Sequence, residues 1–367
     1  MLIPLVDLRA QHQQIAQEVQ EGLEHLFGTT AFILGEEVAA FEQAFAQFSG
    51  VRHCVGVSSG TDALELMLRA LGVGSGDEVI VPANSFIATA VAVVRTGATP
   101  VFVDSDPASH LIDSKDVSRK LGARTKAILP VHLCGQIAPM EELKSLADAR
   151  GVLLLEDAAQ AHGATRHGQG IGSYGAAAAT SFYPGKNLGA YGDGGAVLTN
   201  SDEIAKTIRA LRNYGSETKY HHPIIGFNAR LDALQAVVLS AKLKHLAAWN
   251  EARRTAARRY DELLAELPAL SLPVTLPGNE HVWHLYMVRV RRRDEVLRQL
   301  NAAGIGAGVH YPIPIHLQGA FKHLGHRRGD FPAAEAVADE ILSLPLFPGI
   351  TLEQQRYVAT TMARAVA

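Results

Sequence analysis

The sequence predicts an α/β protein with a large domain (residues 1–245) on a seven-stranded, mostly parallel sheet and a smaller C-terminal α+β domain (residues 246–367). Three observations predict it. From about residue 53, short runs rich in Val, Ile and Leu alternate with longer segments of helical period. The chain has 367 residues, 47% of them hydrophobic, enough for more than one core. A Pro/Gly-rich stretch, Pro268 to Gly278, then marks a change of pattern.

Seven strands are expected, at His53 to Val57, Glu78 to Val81, Thr99 to Val103, Ala127 to Val131, Val152 to Glu156, Ala179 to Phe182 and Ala196 to Thr199. Most are apolar throughout rather than alternating, as in strands covered on both faces. Between them, Leu64, Met67, Leu68 and Leu71 stand at i, i+3, i+4 and i+7, the stripe of a core-facing helix. Leu234, Val237, Val238 and Ala241 repeat that spacing within a long helical stretch from about Arg230 to Leu267. Beyond the Pro/Gly segment, the pattern predicts a strand within Val282 to Val290, a helix from Asp294 to Ala303, an extended piece Gly308 to Tyr311 and a closing helix Ala333 to Leu342.

Charge and composition exclude several classes of function. A net charge of −3, from 34 basic and 37 acidic residues, supplies no basic field of the kind that binds nucleic acid. No apolar run reaches membrane-spanning length, and Met1 to Asp7 turns polar too soon for a signal peptide. The two cysteines, Cys54 and Cys134, have neither paired nor zinc-ligand spacing, so no metal site and no disulfide is expected. The expectation is a cytoplasmic protein.

The chemistry-bearing residues collect at strand ends. Lys186 stands in Ser181-Phe-Tyr-Pro-Gly-Lys186-Asn, and Asp157 follows the apolar run Val152 to Leu155. A carboxylate at the C-terminal end of a parallel strand lies where ligands of such sheets bind, and burial there calls for a cationic partner. The protonated ring nitrogen of pyridoxal phosphate is such a partner, and a lysine is its Schiff-base residue. Ser58-Ser59-Gly60-Thr61-Asp62, between a strand and an amphipathic helix, can bind a phosphate through helix N-terminal N–H groups and the hydroxyls of Ser59 and Thr61. It can equally be an ordinary Ser/Thr helix cap. Gln160 can bond a ring oxygen, Ser181 can add a hydroxyl to the phosphate, and Phe86 can cover one face of a flat ring; equally, Phe86 can be a core aromatic, and Asp157 a helix N-cap.

With these residues in place, the chain resembles the pyridoxal-phosphate sugar aminotransferases of the DegT/DnrJ/EryC1/StrS family, of aspartate aminotransferase fold (fold type I). The markers are Leu5-Val-Asp7-Leu, Ser58 to Leu64, Pro82-Ala-Asn-Ser-Phe86, Glu156-Asp-Ala-Ala-Gln160, Ser181 to Asn187 and Gly192-Asp-Gly-Gly-Ala196, spread over nearly the whole chain. The resemblance implies that Lys186 holds the cofactor and moves the proton, Asp157 pairs with the pyridinium nitrogen, Phe86 stacks on the ring, and Gln160 meets its hydroxyl. It implies Gly60, Thr61 and Ser181 at the phosphate. It also implies that Asn228, in Gly226-Phe-Asn-Ala-Arg230, reaches the phosphate of a neighbouring subunit, hence a homodimer with sites at the interface. Tyr183, Tyr191, Lys219, Tyr220, His310 and His316 become candidate contacts for the sugar or its pyrophosphate.

The run Phe182 to Ala190 followed by Gly192-Asp-Gly-Gly195 resembles the branch acting on C3 ketones. The implied reaction moves an amino group from L-glutamate to a nucleotide-linked, dTDP-type 3-keto-6-deoxyhexose. C4-keto sugars and cyclitol ketones are the alternative acceptors, since fold and cofactor do not choose among them. A regulator that binds the cofactor without turnover is the alternative of another class. A sugar dehydratase, which would carry histidine at the Schiff-base position, is disfavoured by Lys186.

Overall fold

A computed structural model describes residues 1–367. Seven strands build its main sheet: β1 (His53–Val57), β2 (Glu78–Pro82), β3 (Thr99–Val103), β4 (Thr125–Ile128), β5, β6 (Ala178–Ser181) and β7 (Gly195–Thr199). β5 consists of two pieces, Leu153–Leu154 and Glu156–Asp157, that pair on opposite sides. The N–H of Leu155 bonds Ile128 O, that of Asp157 bonds Pro130 O, and that of Glu156 bonds Ala177 O, so one strand joins the two halves of the sheet. The strand order is therefore β3-β2-β4-β5-β6-β7-β1, with only β7 antiparallel to its neighbours.

The apolar runs are explained by the side-chain alternation of a sheet covered on both faces. Cys54, Ile80, Leu154, Ala178 and Leu198 point into one core, and Val55, Val79, Leu155, Ala179 and Val197 into the other. Helix Gly60–Ala70 covers the second face with Leu64, Met67 and Leu68, as its spacing predicts. The first face is covered by helix Glu36–Ser49 and by the N-terminal half of the long helix Ala233–Leu264.

That long helix continues without a break into a third cluster, where Ala256, Ala257, Tyr260 and Leu264 pack with residues 283–365. The predicted division at 245/246 falls inside it, and Ile3, from the chain's start, also packs in this third cluster. The C-terminal sheet is β8 (Leu270–Ser271), β9 (Tyr286–Val290) and β10 (Ile341–Leu344), all antiparallel. One expected element is corrected here. The closing helix Ala333 to Leu342 stops at Glu340, because Ile341, Leu342, Ser343 and Leu344 are all buried and pair with β9. The last helix is Leu352–Val366, begun by a Thr351/Gln354 capping box.

Candidate active site

The carboxyl ends of β1, β5 and β6 open into one cavity of about 570 Å³, a size suited to a small cofactor with substrate. Its walls include Ser59, Gly60, Thr61, Phe86, Asp157, Gln160, Ser181, Tyr183, Lys186 and His310, ten of the residues expected from the sequence. They come from five separate stretches of chain, and the fold brings them together.

Ser59 caps helix Gly60–Ala70 in extended conformation, its hydroxyl oxygen accepting the N–H of Asp62 at 3.1 Å. That leaves the hydroxyl proton free to donate, together with the N–H groups of Gly60 and Thr61 in the first helical turn. Glycine is required here for a specific reason. A Cβ on Gly60 would lie 2.5 Å from Cβ and 3.0 Å from Oγ of Ser181, so its absence is what sets the helix end against the tip of β6. Two hydroxyls and two backbone donors thereby converge, a cradle for a dianionic phosphate.

Asp157 is 4% exposed. Its Oδ2 accepts the Thr89 hydroxyl at 2.8 Å, its Oδ1 accepts the N–H of Ala159 at 3.2 Å, and neither oxygen pairs with a cation. Burial pushes this carboxyl above its ordinary range, against the pull of those two donors and of the nearby Lys186 charge. A protonated pyridine nitrogen restores the favoured ionised form. Burial likewise lowers the Lys186 amine to about 8, with Asp157 acting in the opposite direction.

Lys186 sits in a loop pinned from several sides. Phe182 packs edge-on against Phe41 and Phe45, and the Lys186 N–H bonds Tyr183 O at 2.9 Å. The Asn187 amide donates to Asn250 Oδ1 and Val282 O, both at 2.9 Å, and accepts from His284 Nδ1 at 3.2 Å. The buried Lys242 ammonium donates to Gly189 O at 2.6 Å. Gln160 is also committed, its Oε1 accepting the Cys134 N–H at 2.6 Å and its Nε2 donating to the Tyr311 hydroxyl at 3.2 Å. Phe86 is half exposed at the cavity mouth, 5.4 Å from the Tyr311 ring. His310 bonds Ser343 Oγ through Nδ1 at 2.9 Å.

Five expected residues lie elsewhere. Tyr191 lines a separate cleft with Arg9, His12 and Lys242, its hydroxyl 2.5 Å from His12 Nδ1. Lys219 and Tyr220 stand on an exposed loop, Tyr220 with 84% of its surface open. Asn228 lines a third cleft with Arg230, Asp232 and Gln235. His316 requires a correction. It is 1% exposed, 3.0 Å from Glu335 Oε1 and packed on Phe331 at 4.6 Å, so it belongs to the core and not to a substrate contact. Its partner Glu335 caps Gly329 and Phe331, which fixes the histidine in place.

Sequence reasoning missed Thr89, Ser85, Tyr311, His284 and Asp193, all on the cavity wall. Thr89 lies three residues past Phe86, where helical spacing turns it back toward the site; Tyr311 and His284 are brought in only by tertiary packing. His162 is fully buried, with Nε2 at 2.9 Å from Thr180 Oγ1.

Comparison with known proteins identifies the family. A family model described as the DegT/DnrJ/EryC1/StrS aminotransferase family matches residues 13–363. The erythromycin biosynthesis sensory transduction protein EryC1 of Saccharopolyspora erythraea is 47% identical over 99% of both chains. The dTDP-3-amino-3,4,6-trideoxy-alpha-D-glucose transaminase of Streptomyces venezuelae is 46% identical over 96% of this chain and 93% of its own. The crystal structure of S. venezuelae DesV in complex with a ketimine intermediate superimposes with a TM-score of 0.97, at 45% identity, over 99% of this chain and 98% of that one. With a family model over residues 13–363 and relatives alike over nearly their full length, the chain belongs to the DegT/DnrJ/EryC1/StrS aminotransferase family.

Proposed function

We propose that the protein is a pyridoxal-phosphate-dependent aminotransferase that transfers the amino group of L-glutamate to the C3 ketone of a nucleotide-linked 3-keto-6-deoxyhexose, with dTDP as the nucleotide. The observation that carries this reading is the placement of Lys186 and Asp157 on the wall of one cavity whose floor is the donor-rich end of helix Gly60–Ala70. A transaminase of dTDP-3-amino sugars at 46% identity supports the acceptor.

The residues present fit the cofactor. Asp157 is a buried carboxylate with two donors and no cation, and Ser59, Gly60, Thr61 and Ser181 form a cradle that a Cβ at Gly60 would fill. When bound, pyridoxal phosphate supplies the aldehyde that takes up the amine and the ring that accepts electrons. Lys186 would hold the aldehyde through Nζ and, once displaced, carry the proton between the substrate carbon and the cofactor's C4′ carbon. Its amine, brought down to about 8, is suited to both tasks near neutrality. Asp157 would keep the ring nitrogen protonated, Phe86 would cover one ring face and Gln160 would approach the ring hydroxyl. Tyr183 and His310, from opposite walls, would meet the sugar or its pyrophosphate.

We infer a homodimer. The support is that Asn228, Lys219 and Tyr220 lie outside their own cavity, on a segment with Tyr220, Ile224 and Ile225 turned outward. In a dimer those residues would serve the partner's site. No helix is long and apolar enough to cross a membrane, and both cysteines are buried and unpaired, which fits the cytoplasmic location we propose.

A regulatory reading is favoured by one observation, the sensory transduction name of the relative at 47% identity. A single experiment separates the two. Purified protein with pyridoxal phosphate is followed by absorbance before and after L-glutamate, and the product with dTDP-3-keto-6-deoxyhexose is weighed by mass spectrometry. Loss of the cofactor's aldehyde absorbance and an aminated dTDP-sugar are expected. A band shift without that product redirects the acceptor to C4-keto sugars or cyclitols, and no response to any amino donor leaves the regulatory reading.

A further inference from the structure

Beside Asp157, on the wall of the same cavity, two buried hydroxyls stand in line. Thr89, 1% exposed, donates from Oγ1 to Asp157 Oδ2 at 2.8 Å, and Ser85, 4% exposed, has its Oγ 2.9 Å from Thr89 Oγ1. The direction of this chain is fixed by proton count. An ionised carboxylate only accepts, so the single Thr89 proton points to Asp157, and Ser85 must then donate to Thr89. A protonated Asp157 would reverse the first bond and leave the second without its order. The two hydroxyls therefore favour the charged carboxylate and hold its plane from one oxygen, while the Ala159 N–H holds it from the other.

We propose that Thr89, backed by Ser85, is a positioning residue that keeps Asp157 ionised and aimed at the ring nitrogen of the bound cofactor. This rests on the reading of the cavity as a pyridoxal phosphate site. The local sequence explains the arrangement. Ser85 lies in the bend that leads into helix Ala88–Thr96 and Thr89 in its first turn, and the bend brings the two hydroxyls within 2.9 Å of each other, with Phe86 between them in sequence on the same cavity wall. The same turn thus serves the ring from two directions, through Phe86 and through Asp157. Because Thr89 also lines the cavity, the test must separate its effect through Asp157 from any direct contact with the cofactor.

The test separates a specific effect on the ring nitrogen from a general loss of packing. The full-length protein is freed of cofactor, and wild type, Thr89→Val, Thr89→Ser and Ser85→Ala are titrated with pyridoxal 5′-phosphate and with its 1-deaza analogue, in which carbon replaces the ring nitrogen. Binding is read by quenching of protein fluorescence and checked by equilibrium dialysis.

Thr89→Val should weaken binding of pyridoxal phosphate about tenfold, equivalent to about 1.4 kcal/mol, and leave binding of the deaza analogue unchanged. Thr89→Ser should recover most of the affinity, and Ser85→Ala should lie between. Equal losses for both ligands, or no loss with either, overturn the proposal. If Thr89→Val fails to fold, Ser85→Ala decides, since it leaves the Thr89 methyl packing in place. Wild-type protein that binds neither ligand would overturn the reading of the site, and this proposal with it. Wild type that binds pyridoxal phosphate while the variants show no discrimination sinks this proposal alone.

Discussion

Replacing Gly60 with alanine probes the geometry on which the phosphate cradle depends. The added Cβ would stand 2.5 Å from Ser181 Cβ and 3.1 Å from Ser181 Cα, where carbon pairs settle at about 3.5–4.0 Å. One of the two elements must retreat by roughly 1 Å, and both are backed by core. Helix Gly60–Ala70 presses Leu64, Met67 and Leu68 into the sheet, and Ser181 is the last residue of a strand paired on both sides. Overpacking of this kind costs about 1–3 kcal/mol, well above the gain from replacing glycine in a helix. The same displacement carries the Gly60 and Thr61 N–H groups away from the Ser181 hydroxyl, so we expect cofactor affinity to fall at least about tenfold, one lost hydrogen bond to a charged group. Gly28→Ala is the matched control. No heavy atom lies within 4 Å of its added Cβ, and it sits inside helix Leu8–Thr29, so it should be neutral or stabilising by up to about 1 kcal/mol. The assays are chemical denaturation of cofactor-free protein and a cofactor titration of each variant. A Gly60→Ala protein as stable as Gly28→Ala, with wild-type affinity, would refute the close-approach argument.

Three further outcomes are expected. Lys186→Ala should abolish turnover, while Lys186→Met should raise the stability of the cofactor-free protein at pH 7. The folded amine titrates near 8 and the unfolded one near 10.5, so between those values the unfolded chain holds more protons and wild-type stability rises with pH; the penalty removed below pH 8 is at most about 3 kcal/mol, and a flat profile by urea denaturation would contradict it. Glu42→Ala should cost about 3–5 kcal/mol by the same method, because it strands the buried Arg212 guanidinium, which the Glu42 carboxylate pairs with while also accepting the Gly56 N–H at 2.8 Å. Mixing inactive Lys186→Ala with Asn228→Ala protein under conditions of subunit exchange should restore activity, since one site of each mixed dimer would be intact. Mixtures as inactive as their components would argue against a shared site.

The residues that line the cavity are largely legible in the sequence because they follow strand ends. Asp157 ends a run of four apolar residues and Ser181 ends another, and in a mostly parallel sheet those ends face one side. Asp157's supports were less legible: Thr89 looks like an ordinary helical threonine until β5 is placed beside it. His316 is a contact only by the resemblance, with no local pattern of its own behind it, and the position of Glu335, nineteen residues on, shows that it faces the core. Tyr191 likewise rests on the resemblance alone, and the structure places it in a different cleft, with Arg9, His12 and Lys242. At the C-terminus, Ile341 to Leu344 carried no period to distinguish a buried strand from the end of a helix, and pairing with Tyr286–Val290 decided it.

The helix Ala233–Leu264 acts mechanically as a drive shaft. Lys242 grips Gly189 on one side of the lysine loop, Asn250 grips Asn187 on the other, and Tyr260, about 27 Å along the axis from Lys242, is seated among the C-terminal residues with its hydroxyl on Pro345 O. No flexible joint separates these grips. Any swing of the C-terminal part over the cavity must bend the shaft or turn it, and turning it shifts both grips on the loop at once. Any motion of the C-terminal part would therefore be coupled to the Lys186 loop, and a substitution that displaces Tyr260 is expected to disturb that loop far from the point of change.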